Sequence, residues 1–304
     1  MIRKHTRRAA KAAFAISLGV AIVLGGTVTA AAQRHAAPTI VVGNKNFTEE
    51  YVLGQLYGQA LQAAGFKVKF AGSLGSSELA DTAIKTGKID LLPEYTGVIV
   101  LDLAKKKSPK TAAATYAAAK KFELTRGLTL LKPTPFYDTD SFGMLTSTAH
   151  KLGVKTIADM KKVKSFTFAG YPECDKRITC LLGLKKIYGL KQAKFVQLAS
   201  ISVYTLLDQG KITAGDVFST DPQLGSSKYT ILADTKHIFG FQNVAPVVSK
   251  KTLVAAGPKF AKTVNAVSAK LTIPAMIAMN KAVAIDKKTP AAVAAAFLKA
   301  NGLK

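Results

Sequence analysis

Tryptophan is absent from this chain of 304 residues, cysteine occurs twice, histidine four times, and 18 acidic side chains stand against 43 lysines and arginines. Each shortage excludes something. Histidine is the side chain best placed for acid–base and metal chemistry near neutral pH. Two of the four, His5 and His35, lie near the N-terminus, and His150 and His237 stand in no nucleophile or metal motif. Gly-x-Ser-x-Gly, His-Glu-x-x-His and the phosphate-cradling Gly-x-x-x-x-Gly-Lys loop are all missing. The chain is therefore read as a non-enzyme without a cofactor, unable to hydrolyse ATP by its own means. Two cysteines with no histidine beside them make a poor metal site, so no metal is expected. The excess of base amounts to +25. The lysines are scattered among alanines, however, with no basic run interleaved with aromatics and no nucleic-acid motif. A solvated basic surface, near anionic lipid or cell-wall polymer, is the expectation.

Long apolar runs are also missing, with one exception. Ala12–Ala32 carries no charge, follows the basic segment Met1–Lys11 and ends in Ala30-Ala31-Ala32 ahead of Gln33. That is the pattern of an export signal, and at about 20 residues it would also span a bilayer if left uncleaved. Residues 1–32 are thus expected to be a signal peptide or N-terminal membrane anchor. The remainder is placed outside the cytoplasm, in a periplasm or at the outer face of the cell membrane. In such an oxidising compartment the closely spaced Cys174 and Cys180 are expected to form a disulfide. So short a loop contributes about 2 kcal/mol on the entropic model.

The rest of the chain is organised around Lys88–Gly97, reading Lys-Ile-Asp-Leu-Leu-Pro-Glu-Tyr-Thr-Gly. Ile89–Leu92 has the apolar run of a buried strand, stopped by Pro93, which cannot donate to a ladder. Tyr95 then stands at a strand's C-terminal edge, where open α/β sheets bind ligands. Upstream, Thr39–Val42 reads as a strand. Asn46 and Glu49 have capping-box spacing ahead of a helix whose stripe is Val52, Leu53, Leu56, Tyr57, Ala60 and Leu61. Phe66–Phe70 is a second strand and Glu78–Thr86 a short helix, giving βαβαβ and a mainly parallel sheet. After the helix Thr111–Phe122 and the strand Leu128–Leu131, Lys132-Pro-Thr-Pro135 marks a lobe boundary. A second α/β set follows, with strands at Phe142–Thr146, Phe166–Ala169, Phe195–Leu198, Asp216–Ser219 and Thr230–Leu232. Phe239–Pro246 reads as a return crossing, and helices run from Pro258 to the C-terminus.

These residues carry a resemblance. Gly43-Asn-Lys-Asn-Phe-Thr-Glu-Glu50 with Leu53-Gly54, and Asp90-Leu-Leu-Pro-Glu-Tyr-Thr-Gly97, resemble the substrate-binding proteins of osmoprotectant ABC importers, which take glycine betaine, choline, carnitine and related quaternary amines. The likeness continues through Pro172-Glu-Cys174, Arg177, Cys180–Leu184, Val203-Tyr204, Phe218-Ser-Thr-Asp-Pro222, Pro246–Val248 and Met279-Asn280. It implies an α/β fold of the type II periplasmic-binding-protein kind, a two-lobed clamp with a ligand cleft between its lobes. Lobe 1 would be 39–138 with 246–304, and lobe 2 would be 139–245. It also implies an aromatic cage for the ligand, an ABC permease as partner, a separate ATPase and a monomeric binding protein.

By motif match, Tyr95 and Tyr204 are the leading cage candidates. Phe142 occupies a position where the family carries tyrosine, with Tyr137 as the nearby alternative, and Asp138 or Asp140 stands near the family's asparagines. Tyr171 follows a strand end at Gly170 and is expected to face the cleft. The polar candidates are Asn46 and Thr48 at the first strand-to-helix turn, Ser77 and Glu78 at the second, and Thr220 with Asp221 after a second-lobe strand. Asn46 reads equally as a helix cap, and Glu78 as a first-turn residue on its helix dipole. Beside a cage, Glu78 would favour a cation lacking a carboxylate. Three alternatives stay in view: a same-fold binder of a basic amino acid or thiolated betaine, an exported hydrolase, and a surface protein that binds wall polymers.

Overall fold

The computed structural model describes residues 38–199 and 201–304; the leader read above lies outside them. Two five-stranded sheets form, with order β2-β1-β3-β10-β4 and β7-β6-β8-β5-β9. The first is built from β1 (Ile40–Asn44), β2 (Val68–Ser73), β3 (Leu91–Tyr95), β4 (Leu128–Leu130) and β10 (Val244–Ser249). The second comprises β5 (Asp140–Leu145), β6 (Phe166–Gly170), β7 (Ala193–Gln197), β8 (Ala214–Phe218) and β9 (Tyr229–Ile231). Each sheet follows one plan. Three strands are parallel (β2, β1, β3 and β7, β6, β8), and the strand that enters from the other lobe lies antiparallel beside them. The βαβ connections account for the parallel strands, and the antiparallel one arrives from the other sheet.

On the first sheet, α1 (Thr48–Ala63) packs with α9 (Pro258–Lys270), α10 (Ile273–Ala284) and α11 (Pro290–Ala300) over one face. The other face is covered by α2 (Ser77–Lys85), the short α3 (Thr96–Val98) continuing as a π-turn to Leu103, and α4 (Ala112–Leu124). The second sheet carries α5 (Thr146–Leu152), α6 (Leu181–Lys186) and α7 (Val203–Asp208), while α8 (Lys250–Ala256) follows β10. Each sheet has an apolar cluster on both faces, the three-layer solution for buried parallel strands. Among the described residues no helix is long and apolar enough to cross a membrane.

Two local expectations are corrected. Pro93 does not end its strand: β3 runs through to Tyr95, with Pro93 opposite Pro246 of β10. The two missing donors face each other at one rung, so the ladder continues on either side of them. Asn46 does not cap α1. The cap position is Phe47, which makes no side-chain cap bond, and Glu50 rather than Glu49 reaches back to the chain before the helix, accepting from the Lys45 N–H at 3.1 Å. Glu49 is thereby released for other partners.

The chain crosses between sheets twice, and the crossings lie side by side. Tyr137 and Asn243 form an antiparallel bridge, Asp138 N donates to the Gln242 carbonyl at 3.2 Å, and Thr96 N donates to that of Asn243 at 3.0 Å. The Gln242 side chain caps Val98 N at 3.0 Å. Gly97 makes this possible, since a Cβ there would stand 2.5 Å from Gln242 Oε1. The two crossings are thus hydrogen-bonded to each other where the chain passes between the sheets.

Candidate functional site

Facing edges of the two sheets enclose two adjoining cavities. The larger, of about 240 Å³, is walled by Phe47, Thr48, Glu49 and Asn280 on one side, and by Asp138, Tyr171, Tyr204, Asp216, Phe218, Thr220 and Asp221 on the other. The smaller, of about 40 Å³, adds Lys45, Tyr95, Asp140 and Arg177. Between them lies a row of rings. Phe47 stacks on Tyr95 at 6.2 Å and on Phe218 at 5.2 Å, and Tyr171 stacks on Phe218 at 6.5 Å. An ammonium sits up to about 6 Å from a ring centroid, so one held between the faces of Phe47 and Phe218 requires those rings to part by several ångströms.

The protein's own ammonium already uses one face. Lys45 Nζ lies 4.2 Å from the Tyr95 centroid and 5.6 Å from that of Phe47, paired with Glu94 and standing 3.6 Å from Glu50. Lys45 is 3% exposed. Among the described residues the larger cavity has no basic side chain in its wall and four acidic ones, Glu49, Asp138, Asp216 and Asp221. Burial raises the pKa of Glu49 against the hydrogen bonds of Thr220, Tyr95 and Asn280. Asp138 is raised well above its usual value by burial, then by Glu49 and Asp221. Asp216 is likewise raised by burial and by Asp140, and its Oδ1 has no hydrogen-bond partner among the described residues. Asp221 rises to about 6 through burial, although Phe218 N and the Tyr204 hydroxyl both donate to it at 2.9 Å. Asp140 reaches about 6 through burial, with Arg177 pulling the other way. A strongly basic protein thus keeps a cleft walled by carboxyls that burial makes costly to ionise, a cost that a cation beside them would offset.

The cleft is also spanned by side chains. Thr220 Oγ1 donates to Glu49 at 2.6 Å, Thr179 Oγ1 to Asp102 at 2.9 Å, and Arg177 to Glu78 at 3.0 and 3.2 Å. Arg177 and Thr179 belong to the loop closed by the Cys174–Cys180 disulfide, whose Cα atoms are 5.1 Å apart. Gly170 leaves room for it, because a Cβ there would fall 2.6 Å from Cys174 Sγ. Burial draws the Glu78 pKa up, but the Arg177 pairing wins and holds it at about 2.

Of the residues singled out in the sequence, Tyr95, Tyr171, Tyr204, Thr48, Thr220, Asp138, Asp140 and Asp221 line the two cavities. Phe142 does not join them. It shares a face with Asp140 but lies two residues deeper in β5, fully buried against Phe166 and Phe168. Tyr137 is on the first crossing between the sheets and 48% exposed, held there by its bridge to Asn243. Asn46 and Glu78 border a separate outer hollow with Arg177, and Ser77 is buried in the first turn of α2. The sequence reading passed over Lys45, Phe47, Glu49, Asp216, Phe218 and Asn280. A signal for most of them was present: five of the six lie inside the motifs that carried the resemblance, and Asp216 opened a predicted strand.

Comparison with known proteins gives one consistent picture. Residues 38–300 match the family described as the substrate binding domain of ABC-type glycine betaine transport systems. The glycine-betaine-binding protein of Pseudomonas aeruginosa is 33% identical over 279 residues, covering 88% of this chain and 89% of that protein. An ergothioneine transport permease/ergothioneine binding protein of Helicobacter pylori is 27% identical over 268 residues, 87% of this chain and 48% of that protein. The crystal structure of a glycine betaine/carnitine/choline ABC transporter aligns with a TM-score of 0.69 at 21% identity, covering 87% of this chain and 99% of that one. At that identity the likeness speaks for the two-lobed fold.

Proposed function

We propose, starting from the fact that the chain belongs to the family of substrate-binding domains of ABC-type glycine betaine transport systems, that it captures a quaternary amine between its lobes and hands it to a membrane permease. The lobes of this reading are 39–138 with 246–304, and 139–245. The chain works outside the cytoplasm as a monomer, and a separate ATPase drives transport.

One observation carries the ligand class: the row of ring faces Tyr95, Phe47, Phe218 and Tyr171 lies between cavities walled by buried carboxyls. A quaternary ammonium has no N–H to donate, so ring faces, dispersion and a negative field are what can hold it. Tyr204, Thr48 and Thr220 complete the wall in this reading. Closure follows, because the contacts come from both lobes and the ligand favours the state in which all are made. A thiolated betaine is the second reading. It is supported by Lys45 and Arg177 beside the smaller cavity, which suit a carboxylate, and by the name of the Helicobacter relative.

The test is calorimetric titration with choline, glycine betaine, carnitine, ergothioneine and arginine, alongside Phe218→Ala. Binding of one methylated amine, weakened about thirtyfold in the variant, is expected if a desolvated ring contact contributes ~2 kcal/mol. Binding of arginine alone, or of none of the five, would sink the proposal.

A further inference from the structure

Glu49 sits in the first turn of α1, 2% exposed, and collects donors from three separate places. The Tyr95 hydroxyl donates to Oε1 at 2.7 Å, while Thr220 Oγ1 and Asn280 Nδ2 donate to Oε2 at 2.6 and 3.0 Å. Tyr95 ends β3 and Asn280 lies on α10, both with the first sheet; Thr220 follows β8 of the second. Asn280 Nδ2 also stands 3.2 Å from Thr220 Oγ1 and 3.3 Å from its carbonyl oxygen, which closes the cluster. We propose that Glu49 is a positioning residue that couples the orientation of the Tyr95 ring to closure of the two lobes, with Thr220 as the latch. This rests on the reading of Tyr95 as a wall of the ligand cage.

The reasoning is one of satisfaction. With the lobes apart, Glu49 keeps Tyr95 and Asn280 but loses Thr220, and water must take its place. On closure both oxygens of a desolvated carboxylate are filled, and hydrogen bonds to a charged acceptor are the strong kind. The same carboxylate holds the Tyr95 hydroxyl, so the ring is fixed in the arrangement that closure completes. A ligand resting on that ring therefore favours the closed state. The rival role is direct attraction of the cation, because Glu49 also walls the larger cavity.

Variants separate the two roles. Thr220→Val removes the latch and leaves every charge in place. Glu49→Gln keeps an acceptor oxygen, and Asn280 can turn its unpartnered Oδ1 toward the new amide. The full chain and the variants Thr220→Val, Glu49→Gln and Glu49→Ala are titrated with choline, glycine betaine and carnitine, and small-angle scattering is recorded with and without each probe. Thr220→Val is expected to lose roughly tenfold in affinity through faster release, and to scatter as a more open molecule. Glu49→Gln, which loses the charge but keeps an acceptor for Tyr95, should lose less affinity than Glu49→Ala, which falls at least as far as Thr220→Val. A Thr220→Val protein that binds and scatters like the parent overturns the coupling, as does Glu49→Gln failing as badly as Glu49→Ala. If the parent binds none of the probes yet Thr220→Val is more open, the quaternary-amine reading falls and the coupling stands. If the parent binds none and Thr220→Val scatters unchanged, both fall.

Discussion

Asp216 has the most exposed consequences of any single side chain here. It is 5% exposed, borders both cavities, and leaves Oδ1 without a partner. Its folded pKa lies above the unfolded value, so ionising it costs the folded state, and that cost is complete above the folded pKa. Asp216→Asn should therefore raise the melting temperature at pH 7–8, by roughly 2–4 °C for each kcal/mol released. The gain should vanish as pH falls toward the unfolded carboxyl value of about 4. The same variant should weaken binding of a cation. Melting curves across that pH range, with a parallel titration, check both effects, and a lower melting temperature at pH 8 would contradict the argument. A residue that destabilises its own fold at a cleft is the usual compromise between stability and function.

The loop Cys174–Cys180 is the element whose design is clearest. It follows β6, turns through a short 3-10 segment, and sends Arg177 and Thr179 across the cleft to Glu78 and Asp102. The disulfide holds the loop's two ends, so both cross-cleft side chains are delivered pre-organised. Replacing both cysteines with serine should cost about 2 kcal/mol of stability, read from denaturant unfolding. Ligand release should also quicken, because the loop must then be ordered on each closure. Unchanged release kinetics would reduce the disulfide to a purely stabilising role. Glu78 belongs to this element as well. The sequence offered it as a cage residue or a helix-dipole partner; it stands in the first turn of α2, as the second reading has it, and α2 sets it outside the two cavities, where Arg177 takes it.

For the molecule as a whole, surface and cleft have opposite signs of charge, and the pH dependence of binding should oppose that of stability. Burial raises Glu50 to about 8 and Asp140 and Asp221 to about 6. Each is a carboxyl with a raised folded pKa, so the stability it permits is fully present below its unfolded value and is lost as pH climbs through the folded one. The free protein should accordingly gain stability as pH falls from 8 to 5. Glu78, held at about 2 by Arg177, has the opposite sense and loses its contribution only at still lower pH. A bound cation instead needs Asp140 and Asp221 ionised, so its affinity should drop over the same interval and its binding should release protons. Calorimetry in buffers of different ionisation enthalpy would register that release; affinity independent of pH between 8 and 5 would rule it out.

Periodicity and breakers were enough to read most elements, the two α/β sets and the place where the chain leaves one for the other, because amphipathic spacing is a local property. Strand ends pointed to Tyr95, Tyr171 and Thr220, while Tyr204, at the start of α7, was named from the motif match. Pro93 defied its local reading because its cost depends on what stands opposite, and that is another proline more than a hundred residues away. Phe142 and Phe218 are both phenylalanines at predicted strand segments, and nothing local says which enters a core and which a cleft. The answer comes from depth along β5 and β8, set by how the sheets face each other. The acidity of the cleft was hidden in a chain of +25 because charge signs are read along the sequence, whereas Glu49, Asp138 and Asp216 meet only when two separately folded sheets close over one space.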